Sequence, residues 1–244
     1  SVNGRVVDEN AKPVSNASIQ AGTSTTTTDV NGVFRFANIL LSKNAGCVKV
    51  EKDGYFKTGR TIFTSAGVVN NIEIKLIPKK LRGEFSASVG GNISIESGAS
   101  VNFPVNGIIN KSTNVPYVGS VKVFGAYLNH EDPNLASIMP GNLTGLTTEN
   151  EQKILQTYGM IAVELEGGNG ERLNLAAGKS AAITVAIPPG LQASAPATMP
   201  LWYFSDSLGL WKEEGTAARQ GNTYTGSVSH FTFWNYDVPS DMVN

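Results

Sequence analysis

The chain has little of what catalysis, metal binding or nucleic-acid recognition usually requires. Among 244 residues there is one cysteine, Cys47, and there are two histidines, His130 and His230. A lone cysteine cannot form an intrachain disulfide, which argues against a disulfide-stapled animal module and agrees with a bacterial envelope protein. Cys47 stands in an apolar, strand-like run, where a thiol is buried and inert rather than reactive. Neither histidine belongs to a His-Glu-x-x-His or His-x-x-Glu pattern, so a catalytic zinc site lacks its ligands. There is no Gly-x-Ser-x-Gly nucleophile elbow. Gly168-Asn169-Gly170 lacks the third glycine and the apolar helix of a phosphate loop. Asp29-x-Asn31-Gly32 begins like a calcium loop but has no acidic residue to complete it. No cofactor is expected.

Charge is also scarce. Only 16% of residues are charged and the net charge is −1. With no block of Lys or Arg, nucleic acid and anionic lipid surfaces are excluded as partners. No apolar run reaches the roughly 18 to 20 residues of a membrane helix, so no direct membrane span is expected. No signal peptide is present, and after Ser1 the chain opens directly on a strand-like Val2. A leader or a lipid anchor outside this sequence is the expectation.

What the chain does have is glycine (26), proline (11) and, by inspection, much Thr, Ser and Asn. That is the composition of short strands joined by tight turns, and the length suits two domains with a core each. Val2, Gly4 and Val6, then Ala17, Ile19 and Ala21, alternate with mostly polar neighbours, as half-buried strands do. Between them Asp8, Asn10, Pro13, Ser15 and Asn16 supply turn chemistry. Thr25 to Thr28 is strand-prone, and Asn31-Gly32 ahead of Val33, Phe34 and Phe36 predicts a hairpin.

Val2-x-Gly4-x-Val6, Pro13-Val14-x-x-Ala17-x-Ile19, Thr28-Asp29-x-Asn31-Gly32-x-Phe34-x-Phe36 and Gly54-Tyr55 together resemble the carboxypeptidase regulatory-like domain. Ala11 stands where that family more often has Gly. The resemblance covers about a third of the chain. It implies a small seven-stranded, transthyretin-like (prealbumin-like) sandwich of the kind found in Bacteroidetes surface proteins, a scaffold without chemistry of its own. Ile72, Ile74 and Leu76 alternate in a last strand that ends at Pro78-Lys79-Lys80. This sets an expected first domain of residues 1–78 and a second, larger β-sandwich of 81–238.

In the second domain strands are expected at Val89 to Ile95, at 98–109 with a kink at Pro104, at Val118 to Leu128, at Met160 to Leu165, at Arg172 to Leu175 and at Ser180 to Ile187. Residues 130–150 read as a long loop, a frequent place for function. Residues 149–157 are open between a short helix, capped by Thr148-x-x-Glu151, and a strand running into Met160 with a bulge at Gly159; the strand is preferred. Leu201-Trp202-Tyr203, Gly209-x-Trp211-x-x-x-Gly215 and His230-Phe231-x-x-Trp234-Asn235 resemble the sandwich domain that accompanies such modules in Bacteroidetes. They are also similar, more weakly, to animal extracellular proteins of the cartilage intermediate layer type.

The expectation is an all-β chain of two β-sandwich domains: a non-catalytic, extracytoplasmic, monomeric structural or adhesion-type protein at the cell surface or the periplasmic side of the envelope. Its partners would be other surface proteins or glycans. An alternative is a carbohydrate-binding accessory protein of a glycan-uptake system. Its platform would be Trp202, Trp211 and Trp234 if two of them are exposed on one face, with His130 and Asp132 as further ligand contacts. The simpler account of the C-terminal aromatics is sandwich core. A second alternative is a hydrolase using a carboxylate pair such as Glu164 with Glu166, or Glu213 with Glu214. Asn-x-Ser/Thr sequons at Asn16, Asn92, Asn110 and Asn142 would matter only in a eukaryotic secretory pathway.

Overall fold

The computed structural model describes residues 1–42, 45–65 and 67–242. In chain order its strands are β1 Val2–Val7, β2 Ser18–Ala21, β3 Ser24–Thr27, β4 Val33–Phe36, β5 Gly46–Glu51, β6 Thr58–Ile62, β7 Asn70–Lys75, β8 Leu81–Ser86, β9 Gly91–Ser94, β10 Ser100–Phe103, β11 Ile108–Asn110 and β12 Ser120–Leu128. One helical turn, α1 Leu135–Ile138, precedes β13 Thr144–Leu146, β14 Gln152–Glu166, β15 Arg172–Leu175, β16 Ala181–Ala186, β17 Thr198–Ser205, β18 Leu210–Gln220, β19 Thr223–Val228 and β20 Phe233–Asp241. The protein is all-β. The chain divides into two compact units. One contains residues 1–79, 131–153 and 204–212; the other contains 80–130, 154–203 and 213–244.

In the first unit β1 to β7 form two facing sheets, β4-β1-β7 and β3-β2-β5-β6. β1 runs antiparallel to β4 and parallel to β7. The inward residues of both sheets make one core, including Val2, Val6, Ile19, Ala21, Phe34, Val48, Val50 and Ile74. Val2, Val6, Ile19, Ala21 and Ile74 among them are positions that the period-2 reading assigns inward. The predicted β3–β4 hairpin does not form, because β3 pairs with β2 and β4 pairs with β1 in the other sheet. The turn instead hands the chain from one sheet to the other. Asp29 Oδ1 accepts the N–H groups of Asn31 and Val33, and Val6 N donates to Gly32 O at 2.8 Å. Gly32 has φ +72°, and a Cβ there would lie 2.3 Å from Val6 O, so the position admits only glycine. Ala11 has φ +60°, the left-handed region that explains the family's preference for glycine at this point.

Two later stretches complete this unit. Gly141 N donates to Gly59 O at 2.7 Å, and Arg60 Nη1 donates to Gly141 O at 3.1 Å. The Thr61 hydroxyl donates to Gly209 O, and Lys57 Nζ lies 2.8 Å from Asp206 Oδ2. The 130–150 stretch, predicted as loop, therefore carries α1 and β13. β13 runs parallel to β18, with Gly145 opposite Trp211.

In the second unit the strands follow one path, whose first run is β11-β15-β14-β20-β17, with β12 on β14 and β8 on β12, and whose second run, joined to it by β17 and β18, is β18-β19-β16-β10-β9. Val101, Ile161, Val163, Ile183, Val185, Leu201, Tyr224, Trp234 and Tyr236 share one core drawn from both runs. The Tyr236 hydroxyl of β20 donates to Ile183 O of β16 at 2.9 Å, so the runs are layered as a sandwich. Residues 152–157 are strand, the opening of β14. Glu151 N donates to Thr147 Oγ1 and Asn150 takes φ +64°, which makes a turn where a helix cap was the alternative. The single strand predicted over 98–109 is two: β10 pairs with β9 and β16, whereas β11 pairs with β15. β8 was not foreseen, and the strand expected at Val89 to Ile95 is the shorter β9.

Candidate functional site

The C-terminal strands place their aromatics alternately on two faces. In the β17–β20 pair Tyr203 is opposite Trp234 and Trp202 is opposite Asn235, so the indoles of Trp202 and Trp234 point to opposite sides. Trp202, Trp211 and Trp234 are each 0% exposed. A buried indole cannot stack on a sugar ring, and this overturns the exposed-tryptophan platform. The physical reason is burial: each aromatic ring removes some 150–250 Å² from water, more than a strand face open to solvent would recover. Trp211, in the first unit, packs edge-on to Phe204, with ring centroids 5.6 Å apart. Among the described residues its Nε1 has no hydrogen-bond acceptor. Trp202 Nε1 donates to Asp237 O and Trp234 Nε1 donates to His230 O, at 3.3 and 3.0 Å.

His130 and Asp132 each have a local contact. His130 Nδ1 lies 3.1 Å from Asn129 Oδ1, and the Asp132 carboxylate caps its own turn by accepting the backbone N–H of Asn134 at 2.8 Å. Among the described residues no three His, Cys, Asp or Glu side chains gather as a metal ligand set. Burial pushes the half-buried Cys47 thiol up to about 11, so the nucleophilic thiolate is scarce at neutral pH. Glu164 and Glu166 share one face of β14 opposite Phe124 and Lys122. Glu213 and Glu214 are adjacent in β18 and point to opposite faces, unlike a pair of cooperating carboxylates.

Two clusters in the second unit were not singled out from sequence. The first is buried and polar. The Thr157 hydroxyl donates to Asn235 Oδ1 at 2.7 Å and accepts Gly159 N at 3.0 Å, while Asn235 Nδ2 donates to Asp237 Oδ2. Asn235 and Asp237 are both 0% exposed, and Asp237 Oδ1 has no partner among the described residues. Desolvation raises the Asp237 carboxyl well above its ordinary range, so the neutral acid is the form that this core favours.

The second cluster is half-open. The His230 ring meets Tyr203 edge-on at 4.7 Å and lies 5.0 Å from Trp234. Glu214 Oε1 accepts the Ser229 hydroxyl at 2.8 Å, which leaves Oε2 only 3.7 Å from His230 Nε2. The His230 and Glu214 side chains are 30% and 41% exposed. Burial lowers the imidazole's proton affinity more than the charge of Glu214 and its hydrogen bond raise it, and the Lys111 ammonium lowers it further. The sequence signal was His230 within the aromatic run, but Glu214 lies sixteen residues earlier and reaches it only through strand pairing.

Against this geometry, residues 1–77 match the family model of the carboxypeptidase regulatory-like domain. Among curated proteins, cartilage intermediate layer protein 2 of Homo sapiens is 28% identical over 121 residues, 48% of this chain and 10% of that protein. The protein of the same name from Mus musculus is 33% identical over 109 residues, 43% of this chain and 9% of that one. The chain thus spans about a tenth of the length of these relatives. Among solved structures, a Bacteroides fragilis protein described as membrane-associated aligns over 98% of both chains with 7% identity and a TM-score of 0.25, too low to carry an argument. Residues 1–77 thus match this family model where the chain lays seven strands into two facing sheets, β4-β1-β7 and β3-β2-β5-β6.

Proposed function

We propose that the chain is a non-catalytic, extracytoplasmic support of the structural or adhesion type, which presents loops from rigid β-sandwich modules to protein or glycan partners. The observation that carries this reading is the match of residues 1–77 to a family of accessory domains. The similarity to cartilage intermediate layer protein 2 over nearly half the chain points the same way. The use of aromatics agrees with it: Trp202, Trp211, Trp234, Tyr224 and Tyr236 are all spent on cores rather than on an open cleft. Burial of this kind stiffens a scaffold, and it leaves recognition to exposed loops and partly exposed side chains.

In this reading the protein is a monomer displayed at the cell surface or on the periplasmic side of the envelope. The test is addition of a non-permeant protease to intact source cells, with immunoblotting for the chain. Loss of the band at the surface, or its loss only after the outer barrier is opened, supports the reading. Protection until the cytoplasm is released overturns it.

A further inference from the structure

Three side chains of the neighbouring strands β14 and β20 meet inside the second unit: the Thr157 hydroxyl, the Asn235 amide and the Asp237 carboxyl. Thr157 Oγ1 lies 2.7 Å from Asn235 Oδ1. The amide C=O bond is about 1.2 Å long, so the hydroxyl oxygen stands within about 4 Å of the amide carbon Cγ. Gly159 N donates to Thr157 Oγ1 at 3.0 Å, which fixes the hydroxyl with its own proton turned to Asn235. The amide nitrogen, Nδ2, rests against Asp237 Oδ2 at 2.5 Å.

A network kept only for packing satisfies its buried oxygens, because an unpaired one carries the full cost of desolvation. Asp237 Oδ1 is instead buried with no hydrogen-bond partner among the described residues. Burial also favours the neutral carboxyl, which can give a proton from one oxygen while it accepts one at the other. A nucleophile, a carbonyl carbon and a proton carrier are therefore in contact, and that is the set of groups acyl transfer needs. Thr157, Asn235 and Asp237 are all buried, so water neither competes as nucleophile nor hydrolyses the product.

We propose that Thr157 and Asn235 condense into an intramolecular ester, a covalent bridge between β14 and β20, with Asp237 as the proton carrier. Thr157 Oγ1 attacks Asn235 Cγ, and the hydroxyl proton passes to one oxygen of the Asp237 carboxyl. The other carboxyl oxygen gives its proton to Nδ2, the Cγ–Nδ2 bond breaks and ammonia leaves. Asp237 is again a neutral acid. One C–O bond forms and one C–N bond breaks; nothing is oxidised or reduced, and no co-reactant is needed. Ammonia becomes ammonium in neutral water and diffuses away, which draws the exchange forward. The bridge spans 78 residues of sequence and restrains the unfolded chain as a disulfide across that span would. This goes beyond the scaffold reading and does not depend on it, since the protease test and the mass measurement below fail separately.

The test is intact-mass spectrometry of the full folded chain, followed by denaturation and tryptic digestion. The expected mass is lower than that of the sequence by one ammonia molecule. The digest should contain a branched fragment that joins residues 154–172, which carry Thr157, to residues 220–244, which carry Asn235. Hydroxylamine, which cleaves esters and spares ordinary amides, should separate the two. Thr157→Val keeps the side-chain shape without the nucleophile and should restore the full mass. Asp237→Asn should do the same, with backbone amide spectra reporting retained folding. A wild-type chain that keeps the full sequence mass after prolonged incubation in its folded state overturns the proposal. So does a mass deficit that survives in Thr157→Val or maps to another asparagine, such as Asn31.

Discussion

The hydroxyl of Thr61 donates to the carbonyl of Gly209, 148 residues away in sequence. This bond is among the contacts by which 131–153 and 204–212 complete the first unit; others are Arg60 to Gly141, Gly141 to Gly59, and Lys57 to Asp206. Gly209 has φ +67°, and a Cβ there would lie 2.8 Å from the Cβ of Cys47. Gly209→Ala therefore combines backbone strain with a clash and should cost about 1–3 kcal/mol, read as a lower urea midpoint with an unchanged slope.

Ala11 predicts the opposite sign. It is a non-glycine residue at φ +60° in the turn where Asp8 Oδ1 accepts the N–H groups of Asn10 and Lys12. Ala11→Gly should relieve roughly 1 kcal/mol of left-handed strain, less a few tenths for the freer unfolded chain, and raise the melting temperature.

The tryptophans differ in what a Phe substitution removes. Trp234→Phe deletes the bond to His230 O and leaves a cavity, whereas Trp211→Phe deletes a buried N–H with no acceptor among the described residues. Trp211→Phe should be the milder change by about 1 kcal/mol in denaturant titrations, because loss of the unsatisfied donor offsets part of the lost packing.

Asp237 sets a pH dependence. Its folded pKa is raised well above the unfolded value by burial, so the folded state holds the proton more tightly than the unfolded chain. The contribution to stability is whole below about pH 4 and is lost as pH rises from there toward the folded pKa. Asp237→Asn removes this loss. The stability difference between variant and wild type should move in the variant's favour from pH 4 to pH 8 in thermal melts; a constant difference would refute this.

Alternation made most strands legible, because a strand with one buried face writes its period into the chain: Val2-x-Gly4-x-Val6 and Ala17-x-Ile19-x-Ala21 are examples. β8 escaped because Leu81 and Arg82 begin it, and only Phe85 among its six residues is buried. The Asp29 to Gly32 turn was legible as a turn but not as a change of sheet, since its local hydrogen bonds serve both outcomes. The attachment of 131–153 and 204–212 was hidden for a different reason. Three of its contacts use backbone groups of Gly141 and Gly209, which carry no side-chain signature. The half-open cluster was likewise unreadable, because the Glu214 to His230 approach is a product of strand pairing.

The central claim is that the three C-terminal tryptophans build the support and face no ligand. Acrylamide quenching of tryptophan fluorescence tests it most directly. The account predicts blue-shifted emission and weak quenching of all three tryptophans in the folded chain, rising to free-indole levels only on unfolding. Efficient quenching of the native protein would contradict the account and return the exposed-tryptophan platform to consideration.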